Sequence, residues 1–208
     1  NKKLYTLDGH KKGYDNLLLF SNWCKNRGVK ALTAFGFSTE NWNRSPEEVD
    51  YLMKLLETCL RDNVKRYQED EIKIRVIGQR EKFPKTLEEA IELIEETTKN
   101  NTSLYLNFAI SYGGKWDILR AVKRIVEEKI SAEKIDEELF ESYLSTAGLP
   151  TPDFIIRAGG EKRMSNFVLW QAAYSELYFS SKFWPDFTEQ DLDEALNEFD
   201  ARQRRFGK

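Results

Sequence analysis

Two arginines and a serine follow a short apolar run in the second half of the chain. The run from Phe154 to Arg157 predicts a strand that ends on an arginine, and Arg163 and Ser165 come shortly after it. Two glycines in between allow a tight backbone turn. The periodicity from Ser165 to Tyr174 predicts a helix whose first N–H groups face the same place. Two guanidinium groups, a hydroxyl and helix-start N–H groups favour a site for a doubly charged oxyanion such as a diphosphate.

The same loop has a simpler interpretation as a surface loop whose arginines pair with Glu161 and with water. An arginine near a helix start is unfavourable unless an anion is present, so the helix dipole favours the anion site. Neither a GxxxxGK[ST] phosphate loop nor a GxGxxG fingerprint occurs in the chain. The anion site therefore depends on the two arginines, and the surface loop stays open as the alternative.

A second polar segment follows the strand predicted from Ala31 to Phe37. Ser38, Asn41 and Arg44 stand between that strand and a strong helix start, the sequence SPEE. Trp42 beside them could shield a site from water. The alternative is a capping loop with a packed tryptophan.

Three further features are less specific. The sequence YGG at 112–114 fits a simple strand-to-helix turn. Glu176 lies in the mostly apolar stretch AAYSELYF, where a carboxylate needs an arginine or a metal as its partner. His10, between a glycine and a lysine, is by default an exposed loop residue.

Apolar runs alternate regularly with amphipathic runs along the chain. The predicted strands are 31–37, 72–77, 104–110, 154–157 and 177–179, and the predicted helices include 46–67, 84–99, 115–129, 165–174 and 188–204. Strands that alternate with helices through short joins predict an α/β fold with a parallel-sheet core flanked by helices. Ligands of such sheets bind beyond the carboxyl ends of the strands, which is where the polar segments stand.

The composition limits the classes of function. The chain has 208 residues, with 32 Lys and Arg against 35 Asp and Glu, and a net charge of −3. This balance argues against nucleic-acid binding, which requires a surface that neutralises many phosphates. There is no run of about 18 apolar residues to predict a membrane-spanning helix. The single histidine leaves no His cluster for zinc. Cys24 and Cys59 lie far apart, which indicates buried thiols in a reducing compartment. Without repeats or linkers, residues 1–208 are predicted to form a single domain.

Five segments resemble the cis-prenyltransferases, most closely the bacterial undecaprenyl diphosphate synthases. They are FSTENWNRSPEEVDYLM, NFAISYGGKWDI, IIRAGGEKRMSNFVLWQ, AYSELYF and the terminal RRFG. The resemblance implies a parallel-sheet α/β domain with an apolar tunnel, forming a homodimer. It implies a Mg²⁺-dependent enzyme that condenses isopentenyl diphosphate in cis onto farnesyl diphosphate. The product would be a long, undecaprenyl-type lipid diphosphate that carries cell-wall precursors.

The resemblance also assigns roles to individual residues. Those matching the isopentenyl diphosphate site are Arg157, Arg163, Met164 and Ser165, and those matching the substrate-binding FSxENWxR motif are Ser38, Thr39, Glu40, Trp42 and Arg44. Asn41 of the same motif matches a catalytic position. A neutral amide has almost no basicity, so we expect Asn41 to orient substrate or water while diphosphate takes the proton.

Three further matches complete the implied site. His10 matches a histidine near the allylic diphosphate, and Glu176 matches a carboxylate linked to Mg²⁺. The segment from Arg205 to Gly207 fits a C-terminal motif that reaches the active site across the dimer. The lipid product implies a cytoplasmic protein that associates peripherally with the inner face of the membrane.

The sequence departs from the family's pattern at several positions. The family begins with a strand and an MDGNxRW-type motif whose Asp holds Mg²⁺, and these 208 residues contain no such motif, since Asp8 belongs to a different one. Thr6 replaces a frequent arginine, Ala158 a usual Thr or Ser, and Gly36 a common alanine. We expect the natural protein to extend further N-terminally, and the 208 residues alone to be inactive. The alternative is a non-catalytic partner subunit of a cis-prenyltransferase.

Overall fold

The computed structural model describes residues 2–202, with side chains from residue 9 onwards. The helices are α1 (Lys2–Asn26), α2 (Pro46–Asp62), α3 (Val64–Glu69), α4 (Lys85–Thr98), α5 (Gly114–Glu127), α6 (Glu137–Tyr143) and α7 (Glu189–Ala201). The strands are β1 (Ala31–Ser38), β2 (Ile72–Ile77), β3 (Leu104–Tyr112), β4 (Phe154–Arg157) and β5 (Glu176–Phe179). The predicted α/β fold is confirmed.

All strand pairs are parallel, but the strands form two sheets. The larger sheet has the order β1-β3-β2, and β4 pairs with β5 in a smaller one. In the described part of the chain, nothing pairs with the outer side of β1 or with the outer side of β4. The single sheet expected from the alternation of elements is therefore divided.

The central strand of the larger sheet, β3, is buried along almost its whole length. Leu104, Leu106 and Ile110 of β3 have no exposed surface, and β3 lies between its two neighbours. Helix α4 covers one face with fully buried Leu87 and Ile91. Continuous apolar sequence is what a strand buried on both faces requires, which explains why β3 is so clear in the sequence.

Side chains of α4 close the outer edge of β2. The Ile74 N–H donates to Thr98 Oγ1 at 3.0 Å, and the Val76 N–H donates to Glu95 Oε1 at 2.7 Å. These backbone donors point away from β3 and would otherwise be without partners.

Local capping signals are confirmed with one exception. Ser45 accepts the Glu48 N–H at 3.3 Å at the start of α2. The Glu48 carboxylate does not complete the expected capping box, because it accepts from Arg44 Nη1 at 2.7 Å. The helix predicted to continue to residue 67 breaks at Asn63, whose side chain donates to the Cys59 carbonyl at 2.9 Å.

The helix predicted from Ser165 to Tyr174 is wrong. The segment forms successive turns, and Ser165, Asn166 and Val168 have φ values of 49°, 63° and 36°. Residues with a left-handed backbone conformation cannot form the first turn of a right-handed helix. The helix-start N–H groups expected at the anion site are therefore absent from this loop.

Candidate functional site

A cavity of about 1640 Å³ lies between the two sheets. It is bordered by residues 28–38, which include β1, and by residues 146–158, which include β4. Leu52 of α2 and Leu196 of α7 add apolar wall. Polar side chains gather where β1 and β4 end, so the cavity combines a polar mouth with a long apolar interior.

The residues of the predicted anion site come together at the end of β4. Arg157 Nη1 donates to the Arg163 carbonyl at 2.7 Å and to Ser165 Oγ at 2.8 Å. Arg157 Nε is buried and has no hydrogen-bond partner among the described residues. Met164 lies between the two contact points and lines the cavity. The loop thus wraps around the Arg157 guanidinium and leaves it a donor for an anion.

Part of the surface-loop interpretation also holds. Arg163 forms a close ion pair with Glu161. The N–H groups of Gly159 and Gly160 donate to the carbonyls of Lys182 and Ser180 at 2.7 and 2.8 Å. The glycine N–H groups therefore fix the loop to the chain after β5, and the anion-binding capacity rests on side chains.

The segment after β1 forms a compact turn. Asn41 Oδ1 accepts the Ser38 N–H at 2.9 Å, and Trp42 Nε1 donates to Ser111 Oγ at 2.8 Å. The Trp42 ring packs edge-on against Phe37. This hydrogen bond uses one of the two lone pairs of the Asn41 oxygen and fixes the orientation of the amide.

Asn166 joins the two polar segments. Its Nδ2 donates to Glu40 Oε1 at 2.8 Å, its Oδ1 accepts the Lys115 N–H at 2.9 Å, and its carbonyl accepts the Gly114 N–H at 2.6 Å. Burial alone would raise the pKa of Glu40, but hydrogen bonds from Asn166, the backbone, Ser38 and Thr39 hold it below its usual value. Sequence reasoning missed Asn166.

The glycines at 113 and 114 do more than form a simple turn. A Cβ on Gly113 would stand 2.6 Å from both Asn166 Nδ2 and Thr39 Oγ1. A Cβ on Gly114 would stand 2.7 Å from Leu169 Cγ and 2.9 Å from the Leu169 backbone nitrogen. Only residues without a side chain allow the loop after β4 to lie this close to the start of α5. The paired glycines after an apolar strand were the available signal.

His10 lies on α1 rather than in an exposed loop. Its ring lines the cavity, and Nε2 is buried without a partner in the described part of the chain. Burial, reinforced by the nearby Arg44 guanidinium, lowers the pKa of His10 from 6.5. The lowered pKa favours the neutral imidazole, and the ring places an unsatisfied nitrogen beside the polar mouth.

Glu176 lies apart from these residues. It opens β5 opposite Phe154, whereas Arg157 closes β4, so the two are separated by about 10 Å along the strands. Arg202 Nη1 donates to Glu176 Oε2 at 2.7 Å, which satisfies the need for a partner that the sequence indicated. Its metal role stays a prediction. Among the described residues, no group of three His, Cys, Asp or Glu side chains could hold a metal.

The C-terminal segment from Arg205 to Gly207 lies outside the described residues. Within the part of the chain that the structure describes, no helix is long and apolar enough to cross a membrane.

Comparison with known proteins agrees with the resemblance seen in the motifs. The sequence profile of a family described as putative undecaprenyl diphosphate synthase matches residues 1–207. A ditrans,polycis-undecaprenyl-diphosphate synthase of Acinetobacter baylyi, specific for (2E,6E)-farnesyl diphosphate, is 46% identical over 97% of this chain and 82% of its own length. A geranylgeranyl-diphosphate-specific tritrans,polycis-undecaprenyl-diphosphate synthase of Thermoplasma volcanium is 44% identical over 97% of this chain and 80% of its own length.

Two solved structures share the fold. Lavandulyl diphosphate synthase from Lavandula x intermedia, in complex with dimethylallyl diphosphate, aligns with a TM-score of 0.91 and 38% identity, covering 97% of this chain and 89% of that one. A probable undecaprenyl diphosphate synthase from Campylobacter jejuni aligns with a TM-score of 0.85 and 36% identity, covering 95% and 92%.

Proposed function

The chain belongs to the undecaprenyl diphosphate synthase family of cis-prenyltransferases, and we propose that it condenses isopentenyl diphosphate in cis onto farnesyl diphosphate. The observation that carries this proposal is the Arg157 loop at the mouth of a mostly apolar cavity. A diphosphate needs charged and hydroxyl donors, whereas a growing hydrocarbon needs apolar wall. The two requirements are met side by side.

Each group at the mouth has a task in this reaction. Arg157, Arg163 and Ser165 bind the isopentenyl diphosphate, and Arg44 with His10 faces the allylic diphosphate. The allylic carbon–oxygen bond breaks, the isopentenyl alkene forms the new carbon–carbon bond, and a proton leaves to diphosphate. Asn41, whose amide is fixed by the hydrogen bond from the Ser38 N–H, orients the reacting group or a water.

Removing either arginine tests the assignment. We expect Arg157→Ala or Arg163→Ala to weaken isopentenyl diphosphate binding about ten- to a hundredfold, because a charge-assisted contact is lost. Farnesyl diphosphate binding should change much less. Arg124→Ala is the matched control, since Arg124 pairs with Glu128 on the surface of α5. Equal losses for both substrates would contradict the assignment.

The allylic substrate and product length are parts of the same proposal. The cited relatives carry names specific for farnesyl or geranylgeranyl diphosphate, and the lavender enzyme was crystallised with dimethylallyl diphosphate. Condensation assays with the three primers, run on the chain extended by the family's N-terminal strand and MDGN-type motif, should give the highest kcat/KM with the farnesyl primer and an undecaprenyl-length product. A product of this kind would serve as a carrier of cell-wall precursors.

We propose that Mg²⁺ binds together with the diphosphate of the substrate. Glu176 offers a single carboxylate, and Mg²⁺ usually takes one or two carboxylates together with waters and substrate phosphates, so we expect Mg²⁺ to bind only when diphosphate is present, and weakly. Calorimetric titration with isopentenyl diphosphate, with and without Mg²⁺, measures this. Mg²⁺ binding to the free chain would contradict it. Adding a strand and an MDGN-type motif ahead of residue 1 should strengthen the Mg²⁺ dependence of the reaction and allow elongation. The unpaired outer sides of β1 and β4 leave space for the added strand.

A homodimer is supported by an apolar stripe on α5. Leu119, Val122 and Val126 share one helix face and are 60%, 44% and 68% exposed. We expect Val126→Lys to shift the sedimentation of the protein from dimer towards monomer. The same sedimentation for both proteins would place the contact elsewhere.

The relatives cited are named as synthases, which favours the enzyme over a non-catalytic partner subunit.

The location in the cell follows from the product. A long polyprenyl diphosphate partitions into a bilayer, so we propose a cytoplasmic enzyme that meets the inner face of the membrane peripherally. Detergent should raise the steady-state rate by easing product release and leave the single-turnover rate unchanged. A steady-state rate that ignores detergent would contradict release as the slow step.

A further inference from the structure

Asn166 has an unusual set of contacts for a residue with no charge. Its side chain uses both polar atoms at once, one on the start of α5 and one on Glu40. Its backbone is left-handed, with a φ of 63°, as is that of the neighbouring Ser165 at 49°. Asparagine tolerates this conformation better than most residues, so the backbone and the side chain both favour asparagine here.

The contacts of Asn166 connect the two halves of the proposed site. On one side, Asn166 follows Ser165, whose hydroxyl accepts from Arg157. On the other side, Glu40 belongs to the turn that also holds Asn41 and Trp42. The hydrogen bond between Asn166 and Glu40 joins residues 126 positions apart in the sequence.

The surroundings leave this connection little freedom. The Gly114 N–H and the Lys115 N–H both bind Asn166, and the two glycines before Lys115 leave no room for a Cβ. The loop after β4 is therefore pressed against the start of α5 while it reaches across to Glu40. A shift of the loop would move Ser165 relative to Arg157 and relative to the turn after β1.

We propose that Asn166 is a positioning residue that holds the Arg157 loop at a fixed distance from the turn after β1. This inference rests on the proposed function, because the two segments are the proposed isopentenyl and allylic diphosphate sites. Asn166 need not touch either substrate. It fixes the relative position of the groups that do.

Reversing the polarity of one hydrogen bond tests the proposal. Asn166→Asp keeps the acceptor for Lys115 and a residue that tolerates left-handed backbone, but it replaces the Nδ2 donor by an oxygen facing Glu40. We expect isopentenyl diphosphate to bind about tenfold more weakly or worse by calorimetric titration. Adding Glu40→Gln supplies a donor from the other side. Because Glu40 itself belongs to the substrate-binding motif, the single variant Glu40→Gln is the reference, and the double variant should bind isopentenyl diphosphate within about threefold of that reference.

A second double variant separates pairing from net charge. Glu141 also lines the cavity, and its carboxylate accepts from Trp170 Nε1 at 3.1 Å. Asn166→Asp with Glu141→Gln has the same net charge as Asn166→Asp with Glu40→Gln, but it cannot restore the bond. It should stay as weak as Asn166→Asp alone. Equal recovery in both double variants would overturn the proposal, because charge alone would then explain the rescue.

Asn166→Gly provides an independent measurement should the aspartate variant fold poorly. Glycine accepts the left-handed backbone and removes both side-chain contacts. Hydrogen exchange at the Lys115 amide should become faster in this variant and stay unchanged in Asn166→Asp, which keeps the acceptor. Isopentenyl diphosphate binding should weaken in both.

Failure of the inference and failure of the proposed function give different results. An unaltered chain that does not bind isopentenyl diphosphate overturns both. An unaltered chain that binds it, together with an Asn166→Asp variant that binds it within about threefold, overturns the positioning role alone.

Discussion

The two parallel sheets of this protein are stabilised in different ways. In the larger sheet, Leu104, Leu106 and Ile110 of β3 are completely buried, and α4 adds further buried apolar side chains. In the smaller sheet, every residue of β4 and β5 is only partly buried. The loop beyond β4 is held by the polar contacts of Asn166, by close glycine packing and by Val168, which is buried in an apolar cluster with residues of the larger sheet.

The proposed binding groups lie at the end of the less buried sheet. Arg157 ends a strand of the smaller sheet, and the residues that surround it include two with left-handed backbone. Segments with few buried apolar contacts open more easily, and binding sites often occur in them. The larger sheet supplies stability, and the smaller one supplies groups that bind.

Matched leucines give the largest expected contrast between the sheets. Leu106→Ala removes a fully buried side chain from β3 and should lower the free energy of unfolding by about 3 kcal/mol or more. Leu177→Ala removes a partly buried side chain from β5 and should lower it by about 1 kcal/mol. Urea unfolding monitored by circular dichroism measures both. Equal losses would show that the smaller sheet has a core of its own.

Matched glycines give the next contrast. Gly114→Ala places a methyl group 2.7 Å from Leu169 Cγ and should destabilise the protein by about 2 kcal/mol. It should also weaken isopentenyl diphosphate binding, because the Arg157 loop must move. A Cβ on Gly36 meets its nearest atom at 3.7 Å, an ordinary contact, so Gly36→Ala should leave stability unchanged or slightly higher. A Gly114→Ala variant of unchanged stability would mean that the loop shifts freely.

The single histidine allows a direct test at the mouth of the cavity. Burial and Arg44 lower the pKa of His10, so its NMR titration midpoint should fall below 6.5. Because the unfolded chain then binds more protons than the folded one, the free energy of unfolding should decrease as the pH falls below about 6.5. His10→Gln should remove this part of the pH dependence.

Ligand binding extends the same measurement. A bound diphosphate stabilises the imidazolium, so farnesyl diphosphate should raise the midpoint. A midpoint at 6.5 that no ligand changes would place His10 in water, away from the allylic site.

The smallest effect is expected at the far end of the smaller sheet. Glu176 and Arg202 form an ion pair whose side chains are 29% and 28% exposed, and pairs in contact with solvent contribute about 0.5 kcal/mol. Glu176→Gln should therefore change the free energy of unfolding by about that amount. Isopentenyl diphosphate titrations of the variant with and without Mg²⁺ show separately whether the carboxylate has the metal role implied by the resemblance.

The larger sheet could be predicted from the sequence because its signals are local. The apolar run of β3 and the capping serine of α2 each act within a few residues. The loop after β4 could not be predicted in this way. Its apolar spacing resembles a helix, but its conformation depends on Asn166 contacting the start of α5, 51 residues earlier in the chain.

The site residues likewise include some that local sequence signals predict and some that depend on contacts between distant segments. The sequence brings Arg157, Arg163 and Ser165 together because one short loop contains all of them. It could not show that Glu176 lies at the opposite end of the strands, since this depends on the register between β4 and β5. The register between two strands that are distant in sequence cannot be predicted from the sequence of either strand alone.

Because its outer edge at β2 is closed, the larger sheet can pair with a further strand only at its other edge, beside β1. Strand edges with free N–H groups recruit further strands, from the same chain or from another molecule, and so initiate aggregation. Thr98 and Glu95 already occupy the outward N–H groups of Ile74 and Val76. Any strand added to this sheet must therefore join beside β1, on the side of the cavity, and the opposite edge is protected from intermolecular assembly.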